Sequence, residues 1–329
     1  MSETAGRVAC GFRVGDWEVG DPIADGGWGS VYAGRRPTGP EDERDVALKF
    51  LPTAGLAPRQ ARGLVESARR EREFGRRTRH PRLIRLIDSV VLDEPDHPEL
   101  DGAVVLVMER AARSLRQLLE EKGALSDEEG ERILTETCEG LAHLHELGWV
   151  HGDLKPDNVL LMPDGSVRLS DFGLVAELDG THGTHAWVPP AGTPDYLPPE
   201  RWRAPLGERG VQSRPSADIW ALGIMIHQVF TGGTSPFPGA TSAGRGAAAQ
   251  EYAAGRAPLR LDPAVPPFWR DLATDCLAPT HTARAPHTAR SLLERIRAAA
   301  GTTGVPAYGN QRSQWDAGCR PGAENPEHR

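Results

Sequence analysis

The densest chemical signal in the chain is the run His151-Gly152-Asp153-Leu154-Lys155-Pro156-Asp157-Asn158. Asp153 is a carboxylate that can orient a hydroxyl and take its proton. Lys155 can neutralise charge on a transferring group, and Asn158 can offer an amide oxygen to a divalent cation. Further on, Leu169-Ser170-Asp171-Phe172-Gly173 puts a second carboxylate at the end of an apolar run, suited to hold the same kind of cation against phosphate oxygens. A polar turn without chemistry is the plain alternative, and the order of residue types argues against it.

Two upstream segments could handle the phosphates. Ile23-Ala24-Asp25-Gly26-Gly27-Trp28-Gly29-Ser30-Val31 lies between two strand-like runs, and the bare backbone of Gly26, Gly27 and Gly29 can approach oxygens that a side chain would block. Alone, such a loop reads as an ordinary turn. Val46-Ala47-Leu48-Lys49 follows on an apolar strand, where a lysine is costly to bury unless it meets a negative partner. A lysine snorkelling from an edge strand is the alternative. Glu71, ahead of His80-Pro81, can be that partner and hold the ammonium toward the phosphates.

These residues need elements to position them. Short apolar runs at 17–23, 30–33, 46–51, 83–92 and 103–109 predict strands of a small twisted sheet. Residues 59–79, rich in Arg, Glu and Ala, predict one helix among them. Beyond Glu109 the spacing turns helical, over 115–122, 128–147, 219–230, 268–277 and 288–299, with 239–255 expected as a loose loop leading into a short helix. No internal repeat is visible.

Taken jointly and in this order, the Gly-rich loop, VALK, Glu71, HGDLKPDN and DFG resemble the eukaryotic-like protein kinase superfamily over roughly 14–297, most closely its bacterial Ser/Thr members. The resemblance implies an α+β, bilobal protein kinase fold: a small β-rich N-lobe with one main helix, a larger mostly helical C-lobe, and ATP between them with Mg²⁺, or Mn²⁺ in its place. Residues 1–13 are then an N-terminal extension, 14–108 the N-lobe, 109–113 the hinge, 114–300 the C-lobe and 301–329 a flexible tail. By the same resemblance Asp153, Lys155, Lys49, Glu71 and Thr193 are catalytic, and Asn158 and Asp171 hold metal. The adenine bonds the backbone of Glu109 and Ala111, Met108 is the gatekeeper, and Val31, Ala47 and Leu160 sandwich the purine. Ala24 stands in place of the first loop glycine beside Asp25, and Trp28 forms the tip that covers the phosphates.

HGDL followed by Asn and a later Asp also resembles small-molecule phosphotransferases. Three segments favour a protein acceptor instead: Gly192-Thr193-Pro194-Asp195-Tyr196-Leu197-Pro198-Pro199-Glu200, which resembles the peptide-receiving GTxxYxAPE segment; Asp218-Ile219-Trp220-Ala221-Leu222-Gly223; and Arg284, which is expected to pair with Glu200. Lys155 resembles the Ser/Thr class. A pseudokinase scaffold is the other alternative, because Ala24, Gly75 and Gly152 depart from the family pattern. At Gly75 the packed column of the family lacks its bulky group, which Phe74 can replace. Gly152 stands where regulated relatives carry arginine, so activity is expected to depend little on phosphate at Thr181 or Thr184.

The bulk numbers fit this reading. A chain of 329 residues can hold a cleft between two lobes, and 39% hydrophobic with 26% charged residues is globular. A net charge of −8 argues against nucleic acid or an anionic membrane as a general partner. The arginines of 59–85 are diluted by Glu66, Glu71 and Glu73 and read as a solvated helix face. Cys10, Cys138, Cys276 and Cys319 show no metal or disulfide spacing, which suits a reducing cytoplasm. Neither a spanning segment nor a secretory signal is expected. His281 and His287, like His182 and His185, are read as ordinary histidines, and Trp220 and Trp269 as core. Expected partners are ATP, protein substrates with Ser/Thr acceptors, and a regulatory protein.

Overall fold

Alternating apolar residues and tight turns build the first part of the computed structural model, which describes residues 8–26, 29–178, 186–188, 192–203 and 211–302. Strands β1 (Arg13–Val14), β2 (Trp17–Gly26), β3 (Gly29–Arg35), β4 (Asp45–Leu51), β5 (Leu86–Val91) and β6 (Val104–Glu109) form one antiparallel sheet in the order β1-β2-β3-β4-β6-β5. Val46, Leu48 and Phe50 of β4 fill one face with Val105 and Val107 of β6. The opposite face takes α1 (Pro58–Arg77), whose Leu64 and Ala68 pack on Leu51 and Leu106. Val8 is buried, and its N–H donates to Tyr32 Oη at 3.1 Å, so residues 8–12 also lean on this sheet.

The remainder is helical with short strand pairs: β7 (Arg113–Ser114), α2 (Leu115–Lys122), α3 (Asp127–Glu146), β8 (Trp149–Val150), β9 (Val159–Leu161), β10 (Val167–Leu169), β11 (Ala176–Glu177), β12 (Ala186–Val188), β13 (Val211–Ser213), α4 (Pro215–Thr231), α5 (Ser242–Ala253), α6 (Pro267–Cys276), α7 (His281–Arg284) and α8 (Ala289–Thr302). Caps fix the starts of α2 and α3. Ser114 and Gln117 form a reciprocal capping box on α2, and Ser126 accepts from Glu129 N–H on α3. Helix α4, buried nearly all round, is the axis of this part, with Trp220 and Trp269 in its core as expected.

The element boundaries differ from the sequence reading in three places. The strand expected over 83–92 begins only at Leu86. Leu83 instead makes an isolated parallel bridge to Leu169, and Ile84 N–H donates to Leu169 O, tying the two parts of the molecule together. The segment 239–255 is mostly helix, because Thr241 caps α5 and Ala249 buries against the core. Helix α4 starts earlier than expected, with Pro215 in its first turn, where the missing N–H costs nothing. Among the described residues no helix is long and apolar enough to cross a membrane.

Candidate active site

A cleft of about 380 Å³ opens between the sheet and the helical part. Ala24, Asp25, Gly29, Val31, Ala47, Lys49, Glu71, Met108, Glu109, Ala111, Lys155, Asn158, Leu160 and Asp171 all line it, so residues singled out across nearly 150 positions of sequence converge on one cavity. Gly26 closes the β2–β3 turn, paired with Gly29. A Cβ on Gly29, at φ 144°, would meet Phe50 O at 2.0 Å, so only glycine lets β3 run this close to β4. Gly27 and Trp28 at the tip lie outside the described residues, as do Thr181, His182, Thr184, His185, Cys319 and most of the tail.

Lys49 is delivered by β4 and Glu71 by the buried face of α1. The ammonium lies 3.0 Å from Glu71 Oε2 and 2.7 Å from Asp171 Oδ1. Burial alone would depress the Lys49 ammonium, but Asp171 and Glu71 outweigh it and raise its pKa. Burial likewise would push Asp171 up, and the neighbouring ammonium holds it below the ordinary carboxylate range. For Glu71 burial wins, and its carboxyl is raised. Asp171 is the only non-glycine residue with positive φ among the described residues, at 63°, a conformation held at some cost where it turns its carboxylate toward the cleft.

The loop between β8 and β9 carries Asp153. Asp153 Oδ1 accepts from Thr193 N–H at 2.8 Å and Thr193 Oγ1 at 2.9 Å, and Oδ2 accepts from Lys155 Nζ at 2.7 Å. Lys155 Nζ also reaches Thr193 Oγ1 at 2.8 Å, closing a triangle of the three residues. Asn158 Nδ2 donates to Asp153 O at 2.8 Å, which orients the amide and leaves Oδ1 as its acceptor. His151 Nε2 faces Ser170 O at 3.1 Å and Nδ1 accepts from Asp153 N–H at 3.3 Å, so the proton sits on Nε2.

Asp218, singled out in the sequence within Asp218-Ile219-Trp220-Ala221-Leu222-Gly223 but given no role of its own, organises this loop through its carboxylate. Oδ2 takes His151 N–H at 2.8 Å and His145 Nε2 at 2.9 Å, and Oδ1 takes Gly152 N–H at 2.9 Å. Burial opposes ionisation of Asp218, yet the His145 hydrogen bond and the charges around it keep the carboxyl below its ordinary range. An Asp in the first turn of the most apolar helix was the available signal. Gly152 has φ 83°, and a Cβ there would sit 2.9 Å from Leu174 O, so the loop's path excludes a side chain.

Other residues joining the site had no sequence signal of their own. Ile84, Ser114, Arg116, Gln117, Asp157 and Ser170 line the cleft. Arg116 donates to Tyr196 Oη at 2.9 Å, which in turn donates to Gln228 Oε1 at 3.0 Å, bracing the segment that follows Thr193. The expected Arg284–Glu200 pair forms, with Arg284 fully buried and also donating to Ser216 O at 3.0 Å and Ala278 O at 2.7 Å. Phe74 fills the column beside Gly75: it lies 4.4 Å from Phe172 and 5.5 Å from Trp149 by ring centroids. Gly75 itself lets Leu86 approach, since a Cβ would fall 2.9 Å from Leu86 Cβ. Among the described residues no cluster of three or more His, Cys, Asp or Glu is placed to bind a metal. The oxygens of Asn158 and Asp171 are hard ligands of the kind Mg²⁺ or Mn²⁺ takes, and the remaining positions of such an ion would fall to phosphate and water oxygens.

The sequence profile described as "Protein kinase domain" matches residues 17–295. The chain is 33% identical over 224 residues to serine/threonine-protein kinase 36 of Pongo abelii, covering 67% of this chain and 15% of that protein. It is 31% identical over 263 residues to an Aurora kinase of Schizosaccharomyces pombe, covering 79% and 66%. With a probable serine/threonine-protein kinase PknB of Corynebacterium glutamicum it shares 31% over 236 residues, covering 69% and 34%. The chain therefore spans between 15% and 66% of the length of these relatives.

Proposed function

The chain belongs to the protein kinase domain family, and from that premise we propose that it is a protein Ser/Thr kinase, transferring the γ-phosphoryl group of ATP to Ser or Thr hydroxyls of protein substrates in the cytoplasm. The observation that carries this reading is the Asp153–Lys155–Thr193 triangle, with distances of 2.7 to 2.9 Å, at the edge of the cleft. Mg²⁺-ATP, when bound, supplies the phosphoryl group and the cation that neutralises it. Asn158 and Asp171 would hold that metal, and Lys49, fixed by Glu71, would position the phosphates.

Asp153 Oδ2, held by Lys155 Nζ at 2.7 Å and only loosely by Asn158 Nδ2 at 3.5 Å, is the oxygen we assign to accept the substrate hydroxyl. Asp153 then orients that hydroxyl and takes its proton, while Lys155 stabilises charge on the group in transit. The purine would lie between Val31, Ala47 and Leu160, with the backbone of Glu109 and Ala111 as hydrogen-bond partners and Met108 limiting depth. A protein acceptor is supported by the segment following Thr193, braced through Arg284–Glu200 and Arg116–Tyr196.

Radiolabelled phosphate transfer from ATP to a protein acceptor tests the reading. Asp153→Ala is expected to lower the rate by on the order of 10²-fold or more. Asp171→Ala should in addition weaken Mg²⁺-ATP binding, measured by calorimetry. A purified Asp153→Ala enzyme working at the wild-type rate overturns the assignment. Transfer to metabolites in preference to protein, with both offered together, overturns the substrate class.

A further inference from the structure

The C-terminal end of α1 has a charge pattern that phosphoryl transfer does not use. Residues 59–85 contain ten arginines against three glutamates. On the flank of α1 that meets the Phe172–Leu174 turn and β11 the charges are matched: Arg70 pairs with Glu66 and donates to Gly173 O, and Arg77 pairs with Glu73 and Glu177. The other flank carries Arg72 and Arg76 at i and i+4, and Arg79 follows just beyond the helix end at Arg77. All three are exposed, and among the described residues none has an ion pair or hydrogen bond.

A cavity of about 290 Å³ adjoins this row, between the end of α1, the start of β5 and β10. Arg79, His80, Arg85 and Arg168 are in its wall, no carboxylate is, and Pro81 and Leu83 give it an apolar portion. Arg85 is paired with Glu43 and Arg168 with Glu109, yet Arg168 Nε is buried without a partner. The concentration of unmatched positive charge stands out because the whole chain carries −8 and would repel an anion elsewhere.

We propose that this cavity and its Arg72–Arg76–Arg79 rim are a docking site for an acidic segment of a partner protein. A carboxylate side chain fits the chemistry of the rim, and aliphatic stems fit Pro81 and Leu83. Nucleic acid fits less well, because the wall offers no Phe, Tyr or Trp ring for base stacking and the basic row is only three residues long. The helix that carries Arg72 and Arg76 also carries Glu71, so an occupant bears directly on the element that fixes Lys49.

The test is direct binding, independent of catalysis. A fluorescein-labelled peptide of glutamate and leucine residues is titrated with the full chain at low and high salt, beside a single-stranded oligonucleotide of similar length. Saturable peptide binding that weakens with salt is expected, and it should weaken at least about tenfold in the Arg72→Gln/Arg76→Gln/Arg79→Gln variant, a loss of about 1.4 kcal/mol. Arg256→Gln/Arg290→Gln, on the remote helical part, should bind like wild type. All three substituted rim residues are exposed, and an unchanged ATP affinity certifies the folded variant. Absence of saturable binding, equal binding by the rim variant, or preference for the oligonucleotide each overturns the proposal.

Discussion

Glu71 meets opposing demands from a single ammonium. Its Oε2 holds Lys49, its Oε1 is buried with no hydrogen-bond partner, and Lys49 lies closer to Asp171 than to it. The result is a split pair, Glu71 raised by burial and Asp171 lowered by the ammonium. A carboxyl whose folded pKa is raised contributes stability that is full below its unfolded pKa of about 4.3 and is lost as pH rises through the folded value. Asp171 runs the other way: its contribution is present above about 3.9 and is lost as pH falls through the lowered value. Glu71→Gln removes only the first. Thermal unfolding should therefore find the variant gaining on wild type as pH rises above about 4.3. Phosphoryl transfer should fall about tenfold, the worth of one charge-assisted hydrogen bond of about 1.5 kcal/mol. A pH-independent gap in melting temperature would sink the account. Lys49, Glu71, Asp153, Asn158 and Asp171 were legible in the sequence because each belongs to a spaced motif. Asp218 was legible as a motif residue but its role was not, and Arg116 carried no signal, because their roles depend on partners 66 and 80 residues away.

At the scale of elements, α1 is fastened to the Phe172–Leu174 turn by more than the Lys49–Glu71 pair. Ser67 Oγ donates to Gly173 O at 3.0 Å and Arg70 Nε to the same carbonyl at 3.1 Å, while Phe74 packs on Phe172. A Cβ on Gly173 would lie 2.3 Å from Ser67 Oγ, so the turn and the helix approach as closely as a glycine allows. We expect Ser67→Ala/Arg70→Met to loosen the helix without unfolding it: two hydrogen bonds of about 1 kcal/mol each translate to a loss of several-fold to about thirtyfold in kcat/KM for ATP. Gly173→Ala should reproduce the loss by displacing Ser67. Steady-state kinetics decides; unchanged kcat/KM in both would show that the two donors are incidental. The helix itself was legible from its Arg, Glu and Ala content and the stop before His80-Pro81. Its face assignments were not, because arginine at most outward positions hides the apolar stripe of Leu64, Ala68 and Phe74. The extent of helix α5 was hidden for another reason: three glycines among 239–246 suggest a loop until Thr241 supplies the cap.

At the scale of the whole molecule, two cores meet at the cleft. One lies within the sheet, around Val46, Leu48 and Val105, and the other runs through the helices and reaches up through Phe172 and Phe74 to Ile84 and Met108. The second core therefore links α1 to the loop of Asp153: Phe74 contacts Phe172, and Phe172 lies 5.5 Å from His151 by ring centroids. In a molecule assembled this way, packing and the Ser67–Gly173–Arg70 contacts hold the Phe172–Leu174 turn, whose support in regulated relatives is expected from an arginine answering a phosphate. Gly152 offers no guanidinium, and its φ of 83° beside Leu174 O disfavours any side chain at that point. A phosphate on the segment after Leu178 would thus lack that charge partner. Thr181→Ala/Thr184→Ala should leave the phosphate-transfer rate nearly intact, within a few-fold of wild type, while phosphatase treatment of the wild-type enzyme should change it no more. A loss beyond about tenfold in the double variant, about 1.4 kcal/mol of transition-state stabilisation, would mean that phosphate at those threonines finds a cation elsewhere and that the packed column does not suffice.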